Sequence, residues 1–133
     1  MLVCYLITVA VETPVLVVFL SHRHSNRVRV FAGLWLTACT YPVVWLVLPP
    51  VFDGEPRWMY LLVAETFAPV AECAIFWYAF LRPRGREEED AEGYVEAPAP
   101  DRRATVRDLT AITVANLCSF GVGEVLIALG LFG

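Results

Sequence analysis

Four long apolar stretches, separated by polar segments, dominate the pattern of this chain. They cover residues 2–20, 30–48, 58–81 and 109–132. About 20 consecutive apolar residues form a helix long enough to cross the hydrocarbon core of a bilayer, which is roughly 30 Å thick. Each stretch therefore predicts a transmembrane helix. Together they predict an all-α, polytopic membrane protein, a four-transmembrane-helix bundle that forms a single membrane domain over residues 1–133.

Two of the polar segments between these stretches are rich in arginine. Residues 21–29 also contain His22 and His24, which we interpret as solvated because two histidines without a nearby acid make a poor metal site. Residues 82–104 are rich in proline, glutamate and arginine and contain almost no large apolar side chains. This composition predicts a mobile loop within the membrane domain.

The overall composition agrees with a membrane protein. Hydrophobic residues make up 58% of the chain and the mean hydropathy is +0.59, which is too apolar for a soluble domain with a polar surface. The net charge is -4 and no basic stripe is interleaved with aromatic residues, so nucleic-acid binding is not expected. The lipid bilayer is the predicted environment.

The distribution of arginine predicts the orientation in the membrane. Of the ten basic residues, all except Arg57 lie in segments 21–29 and 82–104 or, as Arg107, just after them. Cytoplasmic loops of membrane proteins carry an excess of basic residues. We therefore expect a multi-pass protein of the cell membrane with loops 21–29 and 82–104 in the cytoplasm and both termini outside.

The four cysteines are Cys4, Cys39, Cys73 and Cys118, one in each apolar stretch. Disulfides would be expected in extracellular loops, so we interpret the cysteines as buried thiols that act as small hydrophobic residues. A soft-metal site built from Cys39, Cys73 and Cys118 is the alternative, but no ligand spacing supports it. No metal ligand, cofactor or catalytic residue is assigned from the sequence.

Four glutamates interrupt the apolar stretches. They are Glu12, Glu65, Glu72 and Glu124. A carboxylate near the centre of a membrane helix costs roughly 2.5 to 3.5 kcal/mol on insertion scales, so such residues are functional candidates. No arginine, lysine or histidine lies in the same stretches. The four glutamates are therefore predicted to bind a proton or a cation, because either would remove the uncompensated charge.

Position along the helices sorts these acids into two levels. Glu12 and Glu72 fall near mid-membrane, whereas Glu65 and Glu124 lie about 11 to 12 Å below the outer ends of their helices. We expect the first pair to form a central site and the second pair an outer site. Five polar side chains are predicted to support these sites: Thr13, Thr40, Tyr41, Asn116 and Ser119.

A short internal similarity relates the two halves of the chain. Residues 37–42 (TACTYP) align with residues 116–121 (NLCSFG), matching small polar, cysteine, hydroxyl and aromatic positions. Each segment is preceded by a helix with a mid-membrane glutamate, Glu12 or Glu72. Two repeated helical hairpins would share one topology around an axis along the membrane normal, with the site between them.

Three functions fit this pattern. The first is a small proton- or cation-coupled carrier or channel-like transporter, acting as a homodimer on a small cation or cationic ligand. Exchange of a proton for a cation on one carboxyl group is the elementary step of such transport. The second is a non-catalytic accessory or assembly subunit that docks onto partner membrane subunits of a larger complex. A membrane-embedded lipid-modifying enzyme is third, and the sequence contains no HExxH or GxSxG motif to support it.

The four-span layout and the acid midway along the first helix, Glu12, resemble the small multidrug resistance transporters. Two features depart from that family. The motifs around its later helices are not recognisable here, and the strong arginine bias fixes one orientation, whereas dual-topology members have a weak bias. We therefore do not assign the chain to that family.

Overall fold

The computed structural model describes residues 2–81 and 101–131. These ranges form four helices: α1 (Leu2–Phe19), α2 (Asn26–Val51), α3 (Arg57–Leu81) and α4 (Arg102–Ala128). Each helix is long and apolar enough to cross a membrane, and no strand occurs in the described ranges. The predicted all-α fold with four candidate membrane-spanning helices is confirmed.

Side-chain caps start two of the helices before the apolar stretches begin. Ser25 precedes α2 and accepts a hydrogen bond from the Val28 backbone N–H. Asp101 precedes α4 and accepts one from the Arg103 backbone N–H, at 3.0 Å. Such caps satisfy N–H groups that have no partner within the helix. Residues 102–104 are consequently helical, and the rest of the predicted loop, 82–100, lies outside the described ranges.

The four helices pack in a ring, because α1 and α3 each contact both α2 and α4. The two halves of the chain have the same topology: α1 and α3 run towards one end of the bundle, and α2 and α4 run back from it. We call this end, which carries residues 20–25 and the start of α4, the arginine-rich end. It contains Arg23, Arg29 and Arg107.

The apolar core lies on the arginine-rich side of the mid-helix polar residues. Its largest members are at most 1% exposed: Leu16, Leu20, Leu36, Phe76 and Ile112. In the other half of the bundle, Ala64 is the one buried apolar residue among those described. The helices are thus closely packed at one end and leave space between them at the other.

Buried positions recur in the two halves with identical spacing. Glu12 and Leu16 of α1 match Glu72 and Phe76 of α3. The buried residues of α2 are Arg29, Ala32, Gly33, Leu36, Thr37 and Thr40, and those of α4 are Asp108, Ala111, Ile112, Ala115 and Asn116, followed at the next matching position by the half-buried Ser119. Each of these buried positions of α2 therefore has a counterpart in α4 at one constant offset, as expected of two repeated hairpins.

Part of α2, Val43–Val47, is a π-helical segment that lies next to Pro49. In a π-helix each N–H donates to the carbonyl five residues earlier, so the donor for the Val44 carbonyl would be residue 49. Proline has no N–H to donate. The Tyr60 hydroxyl of α3 donates to the Val44 carbonyl instead, at 3.1 Å, and joins α2 to α3 near their linker.

Candidate functional site

A cavity of about 870 Å³ lies between the four helices. Its mouth, at the end opposite the arginine-rich end, is lined by Arg57 and by linker residues 52–55. Its walls are mostly apolar and include five aromatic residues: Tyr41, Trp45, Phe52, Tyr60 and Phe120. The apolar core closes the inner end. We call this space the central cavity.

The central cavity collects most of the site residues predicted from the sequence. All four glutamates line it, together with four of the five supporting polar residues: Glu12, Glu65, Glu72, Glu124, Thr40, Tyr41, Asn116 and Ser119. Thr13 is placed elsewhere. A Cβ atom on Gly33 would lie 2.7 Å from its hydroxyl oxygen, so Thr13 faces the crossing of α1 and α2. Its hydroxyl has no hydrogen-bond partner among the described residues.

Glu12 lies at the inner end of the central cavity and is only 3% exposed. Thr37 of α2 donates a hydrogen bond to its Oε2 atom, and Ser119 of α4 donates one to its Oε1 atom, both at 2.6 Å. Thr37 was not among the predicted site residues, although it precedes Thr40 by one helical turn. Both oxygens of the Glu12 carboxyl group therefore have a neutral hydroxyl partner.

Glu72 is equally buried, at 2% exposure. Thr40 of α2 donates to its Oε1 atom and the Asn116 amide of α4 donates to its Oε2 atom, both at 2.8 Å. No arginine or histidine of the described ranges forms an ion pair with either of these two glutamates. We call Glu12 and Glu72 the inner carboxyl pair.

The partners of the inner carboxyl pair follow the repeat. Thr37 and Asn116 are equivalent positions, and each bonds the glutamate of its own half. Thr40 and Ser119 are also equivalent, and each bonds the glutamate of the other half. The contact pattern is therefore the same when the two halves are exchanged, and the pair lies between the two hairpins.

The hydroxyl partners can serve both protonation states of a carboxyl group. Thr37 also lies 2.8 Å from the Gly33 carbonyl, and Ser119 lies 2.9 Å from the Asn116 carbonyl. A hydroxyl has one hydrogen and can also accept. It can donate to an ionised Glu12, or accept from a protonated Glu12 and turn its own hydrogen to the carbonyl. A proton can thus be bound or released without displacing any heavy atom.

The two outer acids differ from each other. Glu124 forms an ion pair with Arg57, with 2.8 Å between Oε1 and Nη2. The prediction that no cationic side chain of the chain meets these glutamates is therefore wrong for Glu124, because the long Arg57 side chain reaches it from the start of α3. Glu65 is half-buried and forms no hydrogen bond or ion pair within residues 2–81 and 101–131.

At the arginine-rich end, Asp108 was missed by sequence reasoning. Its side chain is fully buried, yet it accepts hydrogen bonds from the Ser21 backbone N–H and hydroxyl, at 2.6 and 3.0 Å. Arg23 donates to it through Nε and Nη2, and His24 Nε2 lies 3.0 Å from its Oδ2 atom. We call these four residues the Asp108 cluster. One signal was available. In the alignment of the two halves, Asp108 is the counterpart of Arg29, and both residues lie near the start of their helices at the arginine-rich end.

The interpretation of residues 21–29 as a solvated loop is wrong for His24. Its side chain is 10% exposed, and its ring packs edge-on against Phe76 with centroids 5.4 Å apart. The nearby acid that the sequence did not reveal is Asp108, distant along the chain. Arg29 is also buried and donates to the backbone carbonyls of Val17 and His24. Residues 20–25 are thereby held against the bundle.

The cysteines differ from the prediction of buried thiols. Cys4, Cys39 and Cys73 are half-buried and Cys118 is exposed, and all four are free. Among the described residues, no group of three histidine, cysteine or acidic side chains is arranged to hold a metal ion.

Comparison with known proteins adds no assignment. No protein-family model matches the sequence, and no curated protein or solved structure shows a significant match. Function is therefore inferred below from the geometry of the central cavity.

Proposed function

We propose that this protein is a small proton- or cation-coupled carrier whose coupling site is the inner carboxyl pair. The observation that carries the proposal is a pair of buried acids in one cavity, hydrogen-bonded to neutral groups that fit both the ionised and the protonated form. No arginine or histidine in the described part of the chain pairs with these two carboxyl groups, so charge balance there requires a proton or a bound cation. A carrier can couple the two, because the same carboxyl group binds a proton and a cation alternately.

The cavity suits a small organic cation. Its apolar and aromatic walls would contact the body of such a ligand, and aromatic faces attract cations. Glu65 offers a further carboxyl group between the mouth and the inner pair. The cavity is enclosed by one chain, so the homodimer that we predicted is not needed to form it.

The orientation belongs to the same proposal. Under the positive-inside rule the arginine-rich end faces the cytoplasm and the mouth of the central cavity opens outside. The described conformation then corresponds to an outward-open carrier, with the cytoplasmic side closed.

The test is proton flux in liposomes that contain the purified full-length chain and a trapped pH-sensitive dye. After a pH gradient is imposed, sodium, potassium or one of a series of organic amines is added. The cation that the protein transports should accelerate the dissipation of the pH gradient. Glu12→Gln and Glu72→Gln should each abolish this acceleration, since an amide cannot exchange a proton for a cation. Asp101→Asn, which keeps a capping oxygen outside the cavity, is the matched control.

Two results would contradict the carrier. One is flux no greater than in empty liposomes across the whole series, and the other is full activity of both glutamine variants. If flux is absent and a stoichiometric membrane partner co-purifies with the parent chain but not with Glu72→Leu, the accessory-subunit function replaces it.

A further inference from the structure

Two successive barriers separate the inner carboxyl pair from the arginine-rich end. The first is apolar. Leu16 and Phe76 each follow a glutamate of the pair by one helical turn, and Ile112 precedes Asn116 by one turn. All three are at most 1% exposed, so no water-filled path passes between them. Within the described residues, a proton or cation on the pair therefore has access to the mouth of the central cavity and not to the arginine-rich end.

The second barrier is the Asp108 cluster. Its donors Ser21, Arg23 and His24 all belong to the connection between α1 and α2, whereas Asp108 belongs to α4. The connection is therefore attached to the opposite half of the chain. Arg107 strengthens this attachment, because its Nε donates to the carbonyl of Phe19 at the end of α1.

The aromatic contacts link the two barriers. The His24 ring packs against Phe76 and, with centroids 6.4 Å apart, against Phe80. If residues 20–25 move away from Asp108, His24 leaves the face of Phe76, and the apolar layer loses the side chain that covers it. The ionic contacts and the apolar layer are therefore expected to open together.

We propose that the Asp108 cluster is the closure of the arginine-rich end, and that its separation is the step that exposes the inner carboxyl pair to that side of the membrane. The proposal concerns the regulation of access to the site of the proposed carrier and so rests on that function. Asp108, Arg23 and His24 do not line the central cavity, so their proposed role is to control access and not to bind the cation.

The test measures access from each side separately. In a chain whose four cysteines are replaced by serine, Ala68→Cys places a thiol on the cavity wall, one turn from Glu72 on the side of the mouth. A membrane-impermeant thiol reagent is applied to right-side-out and to inverted membrane vesicles. Glu55→Cys, in the exposed linker, identifies the side on which the mouth opens.

In the parent, the Ala68→Cys thiol should react from the side of the mouth. Arg23→Ala and Asp108→Asn should raise its reaction rate from the arginine-rich side by about tenfold or more, because each removes a hydrogen bond between charged groups. Arg27→Ala is the matched control: it removes an exposed arginine of the same segment that makes no contact with Asp108. Its rates should equal those of the parent.

An unchanged rate from the mouth shows that a variant is folded. If Arg23→Ala meets that criterion and reacts no faster from the arginine-rich side, and Asp108→Asn behaves likewise, the proposal is overturned. Labelling does not require transport. A rise in labelling without any proton flux would support the closure and reject the carrier, whereas flux with unchanged labelling would do the reverse.

Discussion

Asp108 and the inner carboxyl pair are acids buried to the same degree, yet they are neutralised in different ways. Asp108 is fully buried beside Arg23 and His24. Glu12 and Glu72 are 3% and 2% exposed, and their hydrogen-bond partners within residues 2–81 and 101–131 are hydroxyl and amide groups. The guanidinium of Arg23 compensates the charge of Asp108, whereas the neutral donors leave the charge of an ionised Glu12 or Glu72 uncompensated. Burial alone therefore does not reveal the role of an acid in this protein.

The alternatives open to the partners sharpen this contrast. If Glu12 were removed, Thr37 and Ser119 could still donate to the carbonyls of Gly33 and Asn116. If Asp108 were removed, the Arg23 guanidinium would keep only Thr105 and His24, at 3.3 to 3.4 Å. Removing Asp108 should therefore lower the free energy of unfolding more than removing Glu12.

The largest effect is expected from Asp108→Leu. Removing one partner of a buried ion pair leaves an uncompensated charge and typically costs about 3 to 5 kcal/mol. Because Arg23 is partly exposed, we expect the lower end of that range in the free energy of unfolding. The measurement is a denaturation curve in mixed detergent micelles, and a cost below about 1 kcal/mol would show that the cluster is not a structural attachment.

A much smaller loss is expected from Glu12→Leu. The hydroxyl groups that contact Glu12 retain carbonyl acceptors, so the free energy of unfolding should change by about 1 kcal/mol or less, in either direction. The same denaturation assay applies, with Asp108→Leu measured beside it. Equal costs for the two substitutions would remove the distinction between a structural and a binding acid.

Smaller still are the effects of single hydroxyl groups. Ser119→Ala and Thr37→Val should each cost about 0.6 kcal/mol, the usual value of a hydrogen bond between membrane helices. Thr66→Val is the matched control, because the exposed Thr66 hydroxyl bonds only the Leu62 carbonyl of its own helix. In a Glu12→Leu background the cost of Ser119→Ala should vanish. A cost that persists there would mean that Ser119 acts through another contact.

The smallest effect is expected from Arg57→Gln. Arg57 and Glu124 are 59% and 37% exposed, so we expect their ion pair to contribute near the lower end of the ~0.2–1 kcal/mol that is usual for exposed pairs. The contribution of this ion pair to the free energy of unfolding should decrease as salt is added, because counterions screen exposed charges. Unfolding at low and high salt, compared with the parent, measures this. A salt-independent loss would indicate that the pair is shielded from solvent.

The sequence predicted the four candidate membrane-spanning helices and the relative level of the acids along them because both depend on local properties. Apolar length is sufficient to recognise a span, and helical rise is sufficient to place Glu12 and Glu72 at one level and Glu65 at another. The repeat could also be recognised, since it depends on spacing. The contacts of Thr40 and Ser119 with the glutamate of the other half follow from packing the two hairpins face to face.

What could not be predicted depends on contacts between distant segments. Asp108 directly precedes an apolar stretch and resembles a residue at the membrane surface, and only packing against residues 20–25 buries it. The pairing of Arg57 with Glu124 was not predicted, because Arg57 lies just outside the apolar stretches. A long arginine side chain extends several ångströms along a helix, so one at the first turn can reach an acid on a neighbouring helix.

The exchange of partners between the two hairpins has a consequence for how the protein is made. A growing chain delivers its segments to the membrane in order, so Glu12 first meets Thr37 and lacks its second partner until Ser119 has been synthesised. Glu72 likewise waits for Asn116. Completion of the last helix is therefore the event that satisfies both acids, and a product truncated after α3 would be left with incompletely bonded carboxyl groups inside the bilayer.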